Sequence, residues 1–233
     1  MRQFCLLALG LALTVVGKAA AQDTPVLIRG ATILTAADAG KIENGAILFE
    51  NGRISAVGLA SDVQAPSNAT VIDGTDKFVT PGIIDAHSHI AAESINEGSV
   101  SVSSMVSVMD VIDPTDIAIY REAAGGTTTS HVMHGSANPI GGQNAVIKHR
   151  WGEDAGGLLF QGAPPTIKFA LGENPKRSRS AGTGQPQRYP ASRMGVMDVI
   201  RQAFVEATEY RREWDAYEDR REGGDRGAIP PRR

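Results

Sequence analysis

The chain of 233 residues has a single cysteine, Cys5. Beyond that position it can form no disulfide and offer no thiolate to a metal. Positive charge is not in excess either. The formal net charge is −3, which gives no basic footprint for nucleic acid. Long apolar runs are missing: the densest, Phe4 to Val16, falls short of the ~20 residues that cross a bilayer. No Gly-rich loop ends in Lys-Ser or Lys-Thr, so a Walker-type phosphate site is excluded. No repeat of solenoid type is present. Histidine is sparse, at 87, 89, 131, 134 and 149, and none follows His149. What remains is 42% hydrophobic, an ordinary globular composition without a disorder signature.

The first residues read as an export leader. Arg2 supplies a short positive start, Phe4 to Val16 the apolar centre, and Ala19-Ala20-Ala21 the small residues of a cleavage site. Residues 1–21 are therefore expected to be removed after Ala21, giving a secreted or periplasmic protein with no stable membrane span. An uncleaved anchor is the other reading of the same stretch. Cys5 leaves with the leader and lies too early for a lipoprotein cysteine.

Residues 22–78 read as short strands. Val26-Leu27-Ile28 and Thr32-Ile33-Leu34 lie either side of Gly30. The runs 46–50 and 53–57 flank Asn51-Gly52, a strong hairpin signal, because a type I′ turn needs positive φ at two successive residues. Val71-Ile72-Asp73 is a further strand candidate.

The chain turns on residues 79–90, Val-Thr-Pro-Gly-Ile-Ile-Asp-Ala-His-Ser-His-Ile. This reads as a buried strand. Side chains alternate along a strand, so Ile83, Asp85, His87 and His89 share one face. Two imidazoles on one face can reach one metal ion. A His-x-His pair by itself equally fits two core or surface histidines. The setting sharpens the choice: Pro81-Gly82 opens an apolar strand, and an aspartate sits two before the first histidine.

Pro-Gly-Ile-Ile-Asp-Ala-His-Ser-His resembles the first barrel strand of the amidohydrolase superfamily, metal-dependent hydrolases on a TIM barrel. It is most similar to the imidazolonepropionase-like branch with secretory leaders. The resemblance implies an α/β protein: a small N-terminal β-sandwich over 22–78, then the first portion of a (β/α)8 barrel over 79–222 and a tail over 223–233. It implies a divalent metal, zinc in the first instance, as one or two ions held by His87 and His89. It further implies hydrolysis of a C–N bond in an amide, cyclic amide or small peptide-like substrate by metal-activated water. Asp85 would then orient a liganding imidazole as an outer partner.

Further along, Asp113-Pro114-Thr115-Asp116 reads as a helix start with Asp113 as cap, and Gly125-Gly126 as its stop. A β-branched strand follows over 127–133. Residues 135–144 are glycine-rich and polar, unlike core. Either they form a loop whose Asn138 and Gln143 amides line a substrate pocket, or they are a plain turn. Residues 146–149 and 157–160 are further strand candidates. In Thr166 to Leu171 alternation places Lys168 opposite Ile167, Phe169 and Leu171. Many members of the resembled family use an inward lysine, carboxylated by carbon dioxide, as a metal ligand. Lys168 is the candidate here, against a lysine that reaches solvent or pairs with a carboxylate. Glu173 reads as a solvated loop carboxylate, and His131, His134 and His149 as structural or pocket residues. Residues 178–190 are Ser-, Gly- and Arg-rich and expected to be mobile. From Ser192 a long amphipathic helix runs to the Gly223-Gly224 stop.

A full (β/α)8 barrel takes about 250 residues. Only three to five barrel strands can be placed here, and the later histidines of the family pattern have no counterpart after His149. The alternative expectation is thus an incomplete barrel, inactive alone and serving at most as a metal-binding or interaction module. The missing half would come from the same polypeptide, a companion chain or an oligomer. For the leader, N-terminal sequencing of exported protein is expected to begin at Gln22; a mature chain beginning at Met1 would favour the anchor.

Overall fold

The computed structural model describes residues 24–177 and 188–232. The leader with its cleavage site and most of the 178–190 stretch lie outside the described residues. The chain divides into two compact units, residues 1–81 and 82–233.

The first unit is built on β1 (Val26–Leu34), β2 (Lys41–Glu50), β3 (Arg53–Leu59), β4 (Thr70–Asp73) and β5 (Phe78–Val79). They form one five-stranded sheet in the order β3-β2-β1-β4, with β5 also on β1. The expected sandwich is thus a single sheet among the described residues. The physical reason is β1. Gly30 takes φ +84° and the β1–β2 register shifts beside it. This bulge lets the two short runs read around Gly30 continue as one strand. Its first half then pairs with β4 and its second half with β5, both parallel. The β2–β3 hairpin turns at Asn51 and Gly52 with φ of 52° and 71°, the two positive values the dipeptide calls for. Alternation buries Leu27, Ala46 and Leu48 with Val63 in one cluster, and Ala31, Ile33 and Ile47 in another.

The second unit begins with β6 (Ile83–Ser88), followed by α1 (Ile117–Ala124) and β7 (Thr127–Val132). β6 and β7 are parallel, so β6-α1-β7 is one strand–helix–strand step. The cap of α1 is Asp116, whose carboxylate accepts the Ala118 N–H at 2.9 Å and the Ala91 N–H at 2.8 Å. Asp113, the expected cap, instead closes a local turn on Thr115. Proline after Asp113 misplaces the sequence reading by three residues, because both aspartates have cap chemistry.

β8 (Ile140–Gln143) and β9 (Ala145–Lys148) come next, then α2 (Ala155–Leu158), β10 (Ile167–Phe169), α3 (Asn174–Arg177) and α4 (Arg193–Glu222). β9 runs antiparallel on β7, giving the order β6-β7-β9, and β10 pairs antiparallel with β8. Two expectations are corrected here. Residues 157–160 are largely the end of a helical turn rather than a strand. Residues 140–142 are buried strand rather than surface loop. α4 starts at Ser192, whose hydroxyl accepts the Gly195 N–H, and stops at Gly223, as its sequence signals indicate.

The core of this unit joins Val132 of β7, Ile119 of α1, Ile147 of β9 and Leu158 of α2 with Val108 and Ile112. By contrast β6 is not the buried strand its composition implies. Ile83 and Ile84 are 57% and 70% exposed. The reason is that β6 pairs with β7 along one edge only. Ile119 and Ile147 are 0% exposed, so Ile119→Ala or Ile147→Ala should each cost about 2–5 kcal/mol. Urea unfolding monitored by circular dichroism measures this; a loss under half a kcal/mol, roughly what surface sites show, would contradict the core assignment.

Candidate metal centre

The site is assembled at the end of β6. The His87 and His89 rings stand 5.1 Å apart between centroids, edge to face. Beyond the strand proper the ladder to β7 continues, with Met133 N–H donating to Ser88 O at 2.9 Å. This continuation orients His89: its Nδ1 lies 2.9 Å from Met133 O. An Nδ1–H donating there leaves Nε2 as the lone pair that faces outward. Asp85, expected to orient an imidazole, accepts the backbone N–H of His87 at 3.0 Å instead. It steadies the strand end rather than a ring.

Lys168 joins the pair from β10. It is 6% exposed, and its Nζ lies 3.1 Å from Nε2 of His87. Alternation along β10 holds, since Ile167 and Phe169 on either side are exposed. Phe169 stacks on Phe204 of α4 with rings 12° from parallel, so the apolar face meets a helix while Lys168 turns inward. Two glycines make room. A Cβ on Gly141 would stand 2.6 Å from Nδ1 of His134 and 3.2 Å from Cβ of Lys168; one on Gly142 would stand 2.8 Å from the same imidazole and from Val106. The glycine content that made this segment look like a surface loop therefore serves close packing.

Burial pushes the Lys168 amine below its ordinary range. The neighbouring Lys168 charge, then burial and then His89, hold His87 low as well. Both shifts favour uncharged nitrogen, the form with a lone pair to give a cation. The donor chemistry thus fits one side of a metal shell. Among the described residues no group of three or more His, Cys, Asp or Glu converges, so these three nitrogens are a partial set.

The other histidines are tied to neighbours. His131 Nε2 meets the Thr166 hydroxyl, and His149 Nε2 meets that of Ser130, each at 2.8 Å. His134, 2% exposed, accepts the Glu97 N–H on Nε2 at 2.9 Å, while its Nδ1 lies 2.9 Å from Gly135 O. A cavity of about 400 Å3 opens beside it, lined by Ile95, Glu97, Met105, Val106 and Asp110.

The two amides read as pocket-lining residues separate. Gln143 is exposed on the rim of another cavity, of about 450 Å3, and donates to Ser104 O at 3.0 Å. Asn138 is 0% exposed and spends its Nδ2 on Glu97 O and Val100 O, each at 2.6 Å. It is a clamp on backbone rather than a lining group. Its Oδ1 is buried without a partner, a cost of about 1–3 kcal/mol that the two donated bonds must offset. Glu97 and Arg188 escaped the sequence reading, since bonds to backbone carbonyls leave no side-chain pattern to find.

No protein-family model matches the chain. Over 197 residues it is 32% identical to the amidohydrolase tasK of Hapsidospora irregularis, covering 76% of this chain and 20% of that protein. Over 100 residues it is 32% identical to a 5-methylthioadenosine/S-adenosylhomocysteine deaminase of Carboxydothermus hydrogenoformans, covering 43% of this chain and 23% of that one. Among solved structures an amidohydrolase from Thermotoga maritima matches with a TM-score of 0.71 and 33% identity, over 83% of this chain and 50% of that chain. The chain therefore spans between a fifth and a half of the length of these relatives.

Burial holds His134 below its ordinary range, so the folded state prefers it neutral. The unfolded chain takes up this proton near pH 6.5. Stability from His134 is thus fully present above that pH and is lost as pH falls from there through the lower folded value. Urea midpoints at pH 7.5 and 5.5 should show this loss, and His134→Gln should flatten it; an unchanged slope in the variant would exclude His134 as its source.

Proposed function

We propose that this chain, a member of the amidohydrolase superfamily, takes part in hydrolysis of a C–N bond in a small amide or cyclic amide at a divalent metal held by His87, His89 and Lys168. The observation that carries this reading is the convergence of two imidazoles and a buried amine at the end of β6. The similarity to amidohydrolases and to a deaminase supports C–N hydrolysis as the reaction class.

A bound divalent ion supplies Lewis acidity toward a carbonyl and lowers the pKa of water toward neutrality. The residues do the rest. The hydrogen bond from His89 Nδ1–H to Met133 O would present Nε2 to the cation in a single tautomer. Lys168, deprotonated more readily because it is buried, is the amine that would add to carbon dioxide: the nitrogen lone pair would attack carbon, the N–H proton would pass to water, and the carbamate oxygens would be available to hold a cation. Zinc is the proposed ion, since imidazole and oxygen donors suit it. An export leader over residues 1–21 would put this chemistry outside the cytoplasm.

Two measurements test it. Elemental analysis of purified protein loaded with zinc should show bound metal falling at least tenfold in affinity for His87→Ala and for His89→Ala, the scale on which even outer-shell losses act. Unchanged stoichiometry and affinity in both variants would sink the site. With 13C-bicarbonate, a carbamate resonance should appear in the parent and be absent from Lys168→Ala; its presence in both would remove Lys168 from the ligand set.

A further inference from the structure

The segment 95–107 bridges to β8 at Val102 and Ser107 and is fastened at several further backbone groups. Ser103 N–H donates to Ile140 O at 3.0 Å, Gln143 N–H to Val106 O at 2.9 Å, and Gly135 N–H to Ile95 O at 2.5 Å. Where this ladder has a gap, over Glu97 to Val100, two side chains take over. Asn138 donates to the carbonyls of Glu97 and Val100. Arg188 donates Nη1 to Gly98 O at 2.7 Å and to Val100 O, and Nη2 to Ala137 O at 2.5 Å. Three carbonyls of the segment and one of the 135–139 turn are thus gathered by two side chains arriving from different parts of the chain. A guanidinium suits this, since its fork of donors is rigid and always charged.

The fastened stretch reaches the candidate centre through one residue. Glu97 N–H donates to His134, and His134 packs over Gly141 beside Lys168. The same stretch, with His134, walls the cavity of about 400 Å3.

We infer that residues 95–107 are a fixed wall of the substrate cavity rather than a closing lid, and that Asn138 and Arg188 are the positioning residues that hold it. That the cavity takes substrate rests on the amidohydrolase reading; the fastening itself does not. Asn138 holds Glu97 O directly, Arg188 holds the Gly98 and Val100 carbonyls beside it, and the Glu97 N–H sets the face that His134 presents.

The test uses Arg188→Lys and Asn138→Asp in the full chain. Lysine keeps the charge but replaces the two-nitrogen fork with a single nitrogen, and aspartate keeps the shape but removes the donors. Amide exchange should rise about tenfold or more at Glu97 to Val100 while β7 and β9 keep their protection. The 15N resonance of His134 Nε2 should move as it loses the Glu97 N–H, a signature that a general loss of stability would not produce alone. Cobalt(II) uptake at His87 and His89 should be unchanged. Exchange and the His134 resonance both unaltered in Arg188→Lys and Asn138→Asp would overturn the inference. Exchange rising equally everywhere would also overturn it, as mere destabilisation. A parent chain that binds no cobalt would count against the metal reading alone, and the exchange data would still decide the wall.

Discussion

Lys168 can bring its amine against His87 because β8 carries no side chains at Gly141 and Gly142. The imidazole of His134 and the stem of Lys168 occupy the space that two Cβ atoms would take. Much of the candidate centre depends on this close packing. It buries Lys168, burial lowers the pKa of its amine, and the Lys168 charge in turn lowers that of His87, so each shift favours a lone pair that a cation could take. Side-chain volume at either glycine would push on His134, and through it on the Glu97 segment.

The parallel β6–β7 pairing is the second constraint. It carries the strand end far enough for Met133 O to meet His89, which chooses the tautomer. The helix between them, α1, does more than link strands. Its cap Asp116 also holds the Ala91 N–H, tying the chain just past His89 to the helix start. The 91–113 excursion is closed at its base by further backbone bonds, Glu93 N–H to Val111 O and Asp113 N–H to Ala91 O, each at 3.0 Å. A strand that is open along one edge is thereby anchored firmly at the end that bears the histidines.

Local signals were the legible part. The Asn51-Gly52 hairpin, the Gly125 and Gly223 stops, the Ser192 cap and the inward side of Lys168 were readable because each depends on a few neighbouring residues and on the period of a strand or helix. Signals that depend on distant partners misled. Glycines at 141 and 142 looked like loop chemistry, and what they admit is the imidazole of His134, two residues past the end of β7. Asn138 looked like a pocket amide, and what it meets is backbone 38 and 41 residues away. Asp85 has the right spacing to orient an imidazole, yet the nearer backbone N–H takes its carboxylate.

The sequence by itself carried the resemblance to the amidohydrolase superfamily, through Pro81 to His89, and with it the pair of imidazoles at one strand end. Alternation, a local rule, also put Lys168 on the side of its strand opposite Ile167, Phe169 and Leu171. Tertiary structure alone decided that this lysine meets His87 rather than solvent, that His134 joins the cavity wall, and that Arg188 closes on carbonyls from two separate segments. Those outcomes rest on close approach between elements 30 to 90 residues apart. Backbone carbonyls, which every residue carries alike, leave no mark in the order of side chains.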